Sequence, residues 1–542
     1  MKQKIYFLAA LLFAAATVYA VPAKRGWQTR TQADGSTIEV QTVGDEYYHY
    51  TVNREGQQVR LNEAGMYEVV GTAPTGLQAR ARREAAPRYR ARKVFGYTPN
   101  LAPRGIVIMV NFKDKSFSSS HTREVVDSLC NAVNCKVNKN GSTNYPSAGQ
   151  YFKDQSNGAY HPVFDVYGPV TLSNNMKYYG ANDSEGNDLR AAVAVVEACK
   201  KLESTVDFTR YDSDNDGKVD FVYMMYAGEG ENATDVTNQI WPHAFSIDEE
   251  FEYKDTYFTD VYPTKNDCKV DGKQINTYAC SAELSGSDLD GIGTLCHEFS
   301  HVMGLPDHYD IEYGNVYESH KTPGEWDIMD GGSYNGGGHC PPNYNAWEKA
   351  FMGWLTLQNP GSEAHQLTLY PNGSEDYNAY QLNASGVLQA YNTEGLNYYI
   401  EYRAKSGWDR CLPETGMLIW KVNYKKSVWA DNAPNATSTS GAPLFTIMSA
   451  TGNTTGIGTS SDAFKTGGSW NKLSGKPLKN IKIANGVVTL DYISEGGSPY
   501  TGIEYVDLEE ADATQPRKVL RNGQVLILRE GRVYDLTGRI VE

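Results

Sequence analysis

This sequence has little that would let it hold a nucleic acid or cross a bilayer. Lys and Arg number 50 against 65 Asp and Glu, a formal net charge of −15. Phosphate contacts need a basic surface, so nucleic-acid binding is excluded as a function class. Past the N-terminus no apolar run approaches the ~20 residues a spanning helix needs, so no transmembrane segment is expected. The eight cysteines include no CxxC pair, which removes a cysteine zinc ribbon. Histidine is scarce too, at ten in 542 residues. Yet three of the ten fall in GTLCHEFSHVMGLPDHYD, Gly293–Asp310, beside one glutamate and two aspartates.

At the N-terminus, Lys2 and Lys4 precede the apolar stretch Ile5–Ala16, and Val18-Tyr19-Ala20 offers a cleavage site before Val21. These are the three regions of a secretory signal peptide over residues 1–20, and export is expected. An exported chain can form disulfides. Cys130–Cys135 and Cys268–Cys280 are the local candidates, although an even cysteine count does not fix connectivity.

Residues 23–78 alternate polar and apolar between turn signals, the pattern of a small hairpin-rich unit. The segment 79–93 then carries seven Lys/Arg and one Glu around a proline. Such a stretch is solvated and open to a protease cutting after arginine. Residues 21–96 are therefore read as a propeptide with a cleavable linker. From 97 to 358 strands such as GIVIMVNF (105–112) and KVDFVYMMYAG (218–228) mix with helices such as DLRAAVAVVEACKKL (188–202). From 359 to 496 short β-rich runs separated by Gly, Asn and Ser predict a β-sandwich-like domain. Residues 497–542 form a C-terminal tail in which 517–542 reads as three short strands.

The histidine-rich stretch predicts a helix capped at Ser287 or Asp288. Ile292, Leu295, Cys296, Phe299, Val302 and Met303 make its apolar face, and His297 and His301 sit one turn apart near the opposite side. Two imidazoles so placed suit a zinc ion. The ion would acidify a water and polarise a peptide carbonyl, and the adjacent Glu298 would act as general base. Gly304 can end the helix in a left-handed conformation. Asp307 then lies six residues after His301, completing HExxHxxGxxD as a third ligand with an open fourth position. Met329, in the glycine-rich EWDIMDGGSYNGGG, is placed as an apolar floor beneath the imidazoles.

HEFSHVMGLPDHYD together with WDIMDGGSYNG resembles the immune inhibitor A family of secreted metallopeptidases, in the metzincin clan. IWPHAF (240–245), NAWEKAFMGWL (345–355), YYIEYRAKSGWD (398–409) and LPETGMLIWKVN (412–423) extend the likeness over most of 97–425. The resemblance implies a zinc endopeptidase made as a zymogen, acting on protein or peptide substrates. It assigns His297, His301 and Asp307 as ligands, Glu298 as base and Met329 as the Met-turn residue. Many metzincins have histidine where this chain has Asp307, and His308 stands next to it. The fold class expected is multidomain α+β: a metzincin-like zinc peptidase domain with a mixed sheet and an active-site helix, followed by the β-sandwich-like domain.

Further expectations attach to this reading. Tyr334, five residues after Met329, is a candidate oxyanion stabiliser or a packed aromatic. YDSDNDGKVDF resembles the first part of an EF-hand loop, so calcium is expected at Asp212, Asp214, Asp216, Lys218 and Asp220, with Gly217 at the turn. No cysteine precedes Cys130, so a propeptide thiolate cannot silence the zinc. Asp45 is the candidate cap, with Asp34 competing. An activating protease is the expected partner at 79–93. The tail resembles sorting tails of the type IX secretion system, which places the protein outside the cell or on its surface. The competing readings are a zinc site with Glu318 or Glu325 as third ligand, and a non-catalytic calcium-dependent surface adhesin.

Overall fold

A computed structural model describes residues 19–74 (except 21 and 46–47), 78, 104–132, 146–492 (except 184–185, 253, 312–319, 362–364, 431, 437–441 and 474) and 517–541 (except 522–523, 530–531 and 536–538). Residues 1–18 of the expected leader, the linker 79–93 and Glu318 lie outside the described residues.

The central sheet runs in the order Tyr19–Ala20, His243–Ser246, Thr277–Ser285, Val222–Glu229, Arg104–Asn111, Val163–Thr171. The last four strands are parallel, and His243–Ser246 is antiparallel to its neighbour. Strands buried on both faces read as near-continuous apolar runs, and Arg104–Asn111 shows why. Val107 and Met109 point to one core, and Ile106, Ile108 and Val110 to another. The helix Ala191–Leu202 covers the second face. The first face carries Arg123–Asn131, Ala148–Gln155 and Gly293–Val302. There Phe299 meets Phe152, Phe164 and Phe221 with ring centroids 5.1–5.2 Å apart. This aromatic cluster fixes the roll of the helix that bears both histidines.

That helix begins later than its sequence suggests. Ser287 and Asp288 do not cap it; Asp288–Leu289 pairs with the end of the central strand instead. The helix starts at Gly293, whose amide donates to the Gly338 carbonyl at 2.7 Å. A Cβ on Gly293 would lie 1.8 Å from the Ser333 carbonyl oxygen, so the loop after the Met-turn packs against the helix only because glycine stands there.

Before the sheet, five strands between Gln28 and Thr72 form an antiparallel meander in chain order. After it, a four-stranded sheet (Tyr380–Leu382, Gly395–Arg403, Gly416–Tyr424, Phe445–Ile447) and a three-stranded sheet (His365–Leu369, Val487–Tyr492, Leu478–Ala484) share one core. The four-stranded sheet divides by side-chain parity. Tyr398, Ile400 and Ile419 face that shared core, while Tyr399, Leu418 and Trp420 face the helix-bearing layer. Three antiparallel strands, Arg517–Arg521, Gln524–Arg529 and Arg532–Tyr534, make up the described tail.

The local disulfide expected between Cys268 and Cys280 is not formed. Neither is in a disulfide, because they sit at separate points of the second core. Cys130 is free and Cys135 lies outside the described residues. Instead the Cys340 and Cys411 thiols stand within hydrogen-bonding reach of each other. No helix among the described residues is long and apolar enough to cross a membrane.

Candidate metal centre

His297 and His301 project from the same side of the helix, and each ring is fixed by a carbonyl. His297 Nδ1 lies 2.7 Å from the Ile328 oxygen and His301 Nδ1 2.7 Å from the Leu305 oxygen. A ring that donates from Nδ1 has a bare lone pair at Nε2. The two Nε2 atoms approach to 2.9 Å, and Asp307 Oδ1 lies 3.3 Å from each. Three acceptors thus converge at a point 0–2% exposed, and Asp307 Oδ1 has no hydrogen-bond partner there. Two imidazole nitrogens and a carboxylate oxygen meeting at one buried point are the ligand types zinc takes, so this donor set fits a metal ion.

With only protons available, the cluster divides its charge unevenly. Burial lowers His301 to about 4, helped by the His297 charge. Burial also acts against His297, but the Asp307 carboxylate 3.3 Å away and the Glu298 charge outweigh it and raise that ring to about 9.

The bend that delivers Asp307 is built at Gly304, with φ of +106°. His308 then turns away. Its Nδ1 lies 3.0 Å from Asp327 Oδ2 and 3.7 Å from Glu348 Oε1, and its ring stacks on Phe445 at 3.6 Å. The structure thus separates two chain neighbours: Asp307 joins the imidazoles and His308 joins a second buried cluster.

One partner of the site has no signature in the local sequence. Asn432 Oδ1 accepts from the Asp307 amide, and its Nδ2 donates to Asp307 Oδ2, both at 2.6 Å. It comes from a segment 125 residues downstream, so only the tertiary fold reveals it. The same region grips the Met-turn. Trp326 Nε1 donates to the Thr459 carbonyl at 3.1 Å, and Lys321 pairs with Asp462 at 3.0 Å.

Glu298 is fully buried beside His297. Its charge contributes, behind burial, to raising the Tyr223 and Tyr334 hydroxyls above their ordinary range. Tyr334 therefore remains a donor; it accepts from Asn232 Nδ2 at 3.0 Å and donates to the Pro22 carbonyl at 2.6 Å. Met329 is fully buried, with its amide on Asp327 Oδ1 and its carbonyl taking the His308 amide. Glu325 is exposed and is not part of the cluster.

Asp45 is buried but does not belong to the cluster. Its carboxylate accepts from the Tyr48 amide at 3.1 Å, and its carbonyl meets His49 Nδ1. Asp34 is exposed in a turn with Ser36. In the acidic loop, Asp212, Asp214 and Asp216 bring carboxylate oxygens together. Asp212 Oδ2 takes the Gly217 amide at 3.1 Å and Lys273 Nζ at 2.5 Å. Asp220 accepts from the Ser213 amide and is raised to about 6, chiefly by burial. The Lys218 side chain leaves the loop for Asp248.

Residues 109–356 match the immune inhibitor A peptidase M6 catalytic domain. The chain is 27% identical over 231 residues to the pre-pro-metalloprotease PrtV of Vibrio cholerae, covering 39% of this chain and 24% of the relative. It is 25% identical over 232 residues to immune inhibitor A of Bacillus thuringiensis subsp. alesti, covering 38% of this chain and 31% of the relative. The matched stretch therefore spans less than a third of either relative's length.

Proposed function

We propose that this chain, whose residues 109–356 are of the immune inhibitor A M6 type, is a zinc-dependent endopeptidase, exported and made as a zymogen. One observation carries the reading. Two imidazole Nε2 atoms 2.9 Å apart and an aspartate oxygen 3.3 Å from each are buried together, three ligand atoms of the kinds zinc takes converging on one point. His297, His301 and Asp307 would hold the zinc, which would supply Lewis acidity toward a peptide carbonyl and a water.

The chain's own residues supply the rest. Ile328 and Leu305 fix the two ring tautomers, and Asn432 holds Asp307 by two hydrogen bonds. Glu298, buried next to His297, takes a proton from the attacking water and returns it to the leaving amine. Tyr334 presents a protonated hydroxyl to a carbonyl oxygen, the contact an oxyanion needs, here made with Pro22.

Calcium at Asp212, Asp214, Asp216, Lys218 and Asp220 would brace the strand that follows, displacing the Lys273 ammonium from Asp212. Cleavage at 79–93 by an activating protease would release the N-terminal meander. A secreted or surface location, by a signal peptide and a type IX tail, belongs to the same proposal.

The test is a peptidase assay with and without a zinc chelator, with calcium held in excess. Chelation should abolish hydrolysis and zinc should restore it. Hydrolysis that survives both chelation and Glu298→Gln would remove the proposal.

A further inference from the structure

The segment just before the N-terminal meander runs beside the helix that bears the two histidines. Tyr19–Ala20, the end of the expected leader, pairs antiparallel with His243–Ser246, so removal of the leader opens that edge of the central sheet. Ala23 packs on Trp241, and its amide donates to the Gly44 carbonyl at 2.8 Å. The Pro22 carbonyl receives the Tyr334 hydroxyl, close to Glu298. The Lys24 amide donates to the Asn232 carbonyl at 3.1 Å, and its ammonium meets Ser285 Oγ at 3.2 Å. An extended peptide adding to a sheet edge, with one carbonyl held by a hydroxyl donor, is how a cleft binds substrate main chain.

The Arg25 side chain shows what such a cleft would select. Its guanidinium pairs with Asp330, a carboxylate 0% exposed and one residue beyond Met329. The other Asp330 oxygen takes the Gly324 amide at 2.5 Å. Among the described residues Arg25 is the one cation within ion-pair distance of Asp330. One glycine, Gly331, leaves room for the guanidinium, and Gly324 borders it. A Cβ on Gly331 would lie 2.8 Å from Arg25 Nη1 and 3.3 Å from Cζ, and one on Gly324 would lie 3.5 Å from Nη1. Gly331 has no positive φ, so its backbone does not require glycine; the space does. A carboxylate buried this deeply needs a cation. The planar guanidinium fork meets that need better than an ammonium.

We propose that the pocket formed by Asp330, Gly331 and Gly324 is a subsite for an arginine side chain of the substrate, occupied in the uncleaved chain by Arg25. The proposal rests on the endopeptidase reading and names the substrate class: peptides with arginine within about three residues on the C-terminal side of the scissile bond. That offset follows from Arg25 standing three residues beyond the carbonyl that Tyr334 holds. When Arg25 withdraws, Asp330 is left buried beside a guanidinium-sized space.

The test uses the chain activated by cleavage at 79–93 and freed of the N-terminal unit, which removes Arg25 and the segment around it from the pocket. It is titrated with the peptide AVPAKRG and with AVPAKAG by fluorescence polarisation, and then given an unbiased peptide mixture with zinc present. The arginine peptide should bind about tenfold tighter or more, and cut sites should be enriched for arginine on the stated side. Adding Asp330→Asn should erase both preferences. Gly331→Ala, which keeps the carboxylate and fills the guanidinium space, should weaken the arginine peptide while zinc content stays unchanged. Equal binding of the two peptides, or cleavage without an arginine preference, would overturn the subsite and leave the peptidase reading standing. Arginine-dependent binding with no cleavage of any peptide would do the reverse.

Discussion

Asp307 and His308 are neighbours in the chain, but each closes a different buried cluster. In the first, two imidazoles direct Nδ1 to carbonyls, so their Nε2 atoms turn toward each other and Asp307 Oδ1. In the second, donors stand between acceptors. Asp327 Oδ2 takes both His308 Nδ1 and Asn345 Nδ2 at 3.0 Å, and Asp327 Oδ1 takes the Met329 amide. Burial, and then the Asp327 charge, push the Glu348 carboxyl well above the usual carboxylate range. Both clusters hold three metal-capable residues. Three ligand atoms converging on one point in the first cluster, against a carboxylate already taken by three donors in the second, separate a candidate cation site from a structural clasp.

Exchanging the roles of the two neighbours gives the largest effects. Asp307→Ala should cut hydrolysis by roughly a thousandfold and drop zinc from the protein while the fold stays cooperative. His308→Ala should keep its zinc yet lose about 2–4 kcal/mol of stability, from the Phe445 stack and the Asp327 hydrogen bond. Metal analysis beside a denaturant melt checks both. If the two variants behave alike, the distinction between the clusters fails.

Next in size is Asn432→Ala. Removing both hydrogen bonds to Asp307 should weaken zinc about 10- to 100-fold without removing a ligand, measured by competition with a chromophoric chelator. The same substitution should leave the His308 cluster intact.

A pH titration sharpens the contrast further. Between about 4 and about 9 the metal-free first cluster holds one proton, on His297. Metal binding must expel it. Zinc affinity should therefore rise about tenfold per pH unit up to about pH 9 and level off above, with one proton released per ion near neutrality. A flat profile from pH 6 to 8 would contradict the assigned ligands.

The smallest effect lies in the acidic loop, where the oxygens are partly exposed and Lys273 already neutralises Asp212. Calcium should raise the melting temperature by about 2–4 °C, and Asp214→Asn should halve that gain or more. Calcium should leave zinc content unchanged.

How legible each part was in the sequence follows from distance along the chain. The spacing from His297 through Glu298 and His301 to Gly304 and Asp307 is local, and a helix of 3.6 residues per turn and one left-handed glycine are enough to predict it. Whether Asp307 or His308 would turn inward was not legible, because that choice depends on Phe445, Asp327 and Asn432. The side opposite the apolar face is buried as well, since residues 293–301 are all enclosed by distant parts of the chain. The helix start was misplaced because Ser287 and Asp288 look like caps but lie beside a two-residue strand. The Cys268–Cys280 pairing failed for a similar reason: twelve residues of separation do not bring two side chains together when one lies on a central strand.

The central claim is tested most directly by X-ray absorption at the zinc edge on the full chain and on Asp307→Ala and His308→Ala. The account predicts one zinc with two imidazole nitrogens and a carboxylate oxygen at ~2.0–2.2 Å, retained in His308→Ala and lost in Asp307→Ala. Zinc retained in Asp307→Ala and lost in His308→Ala would contradict it.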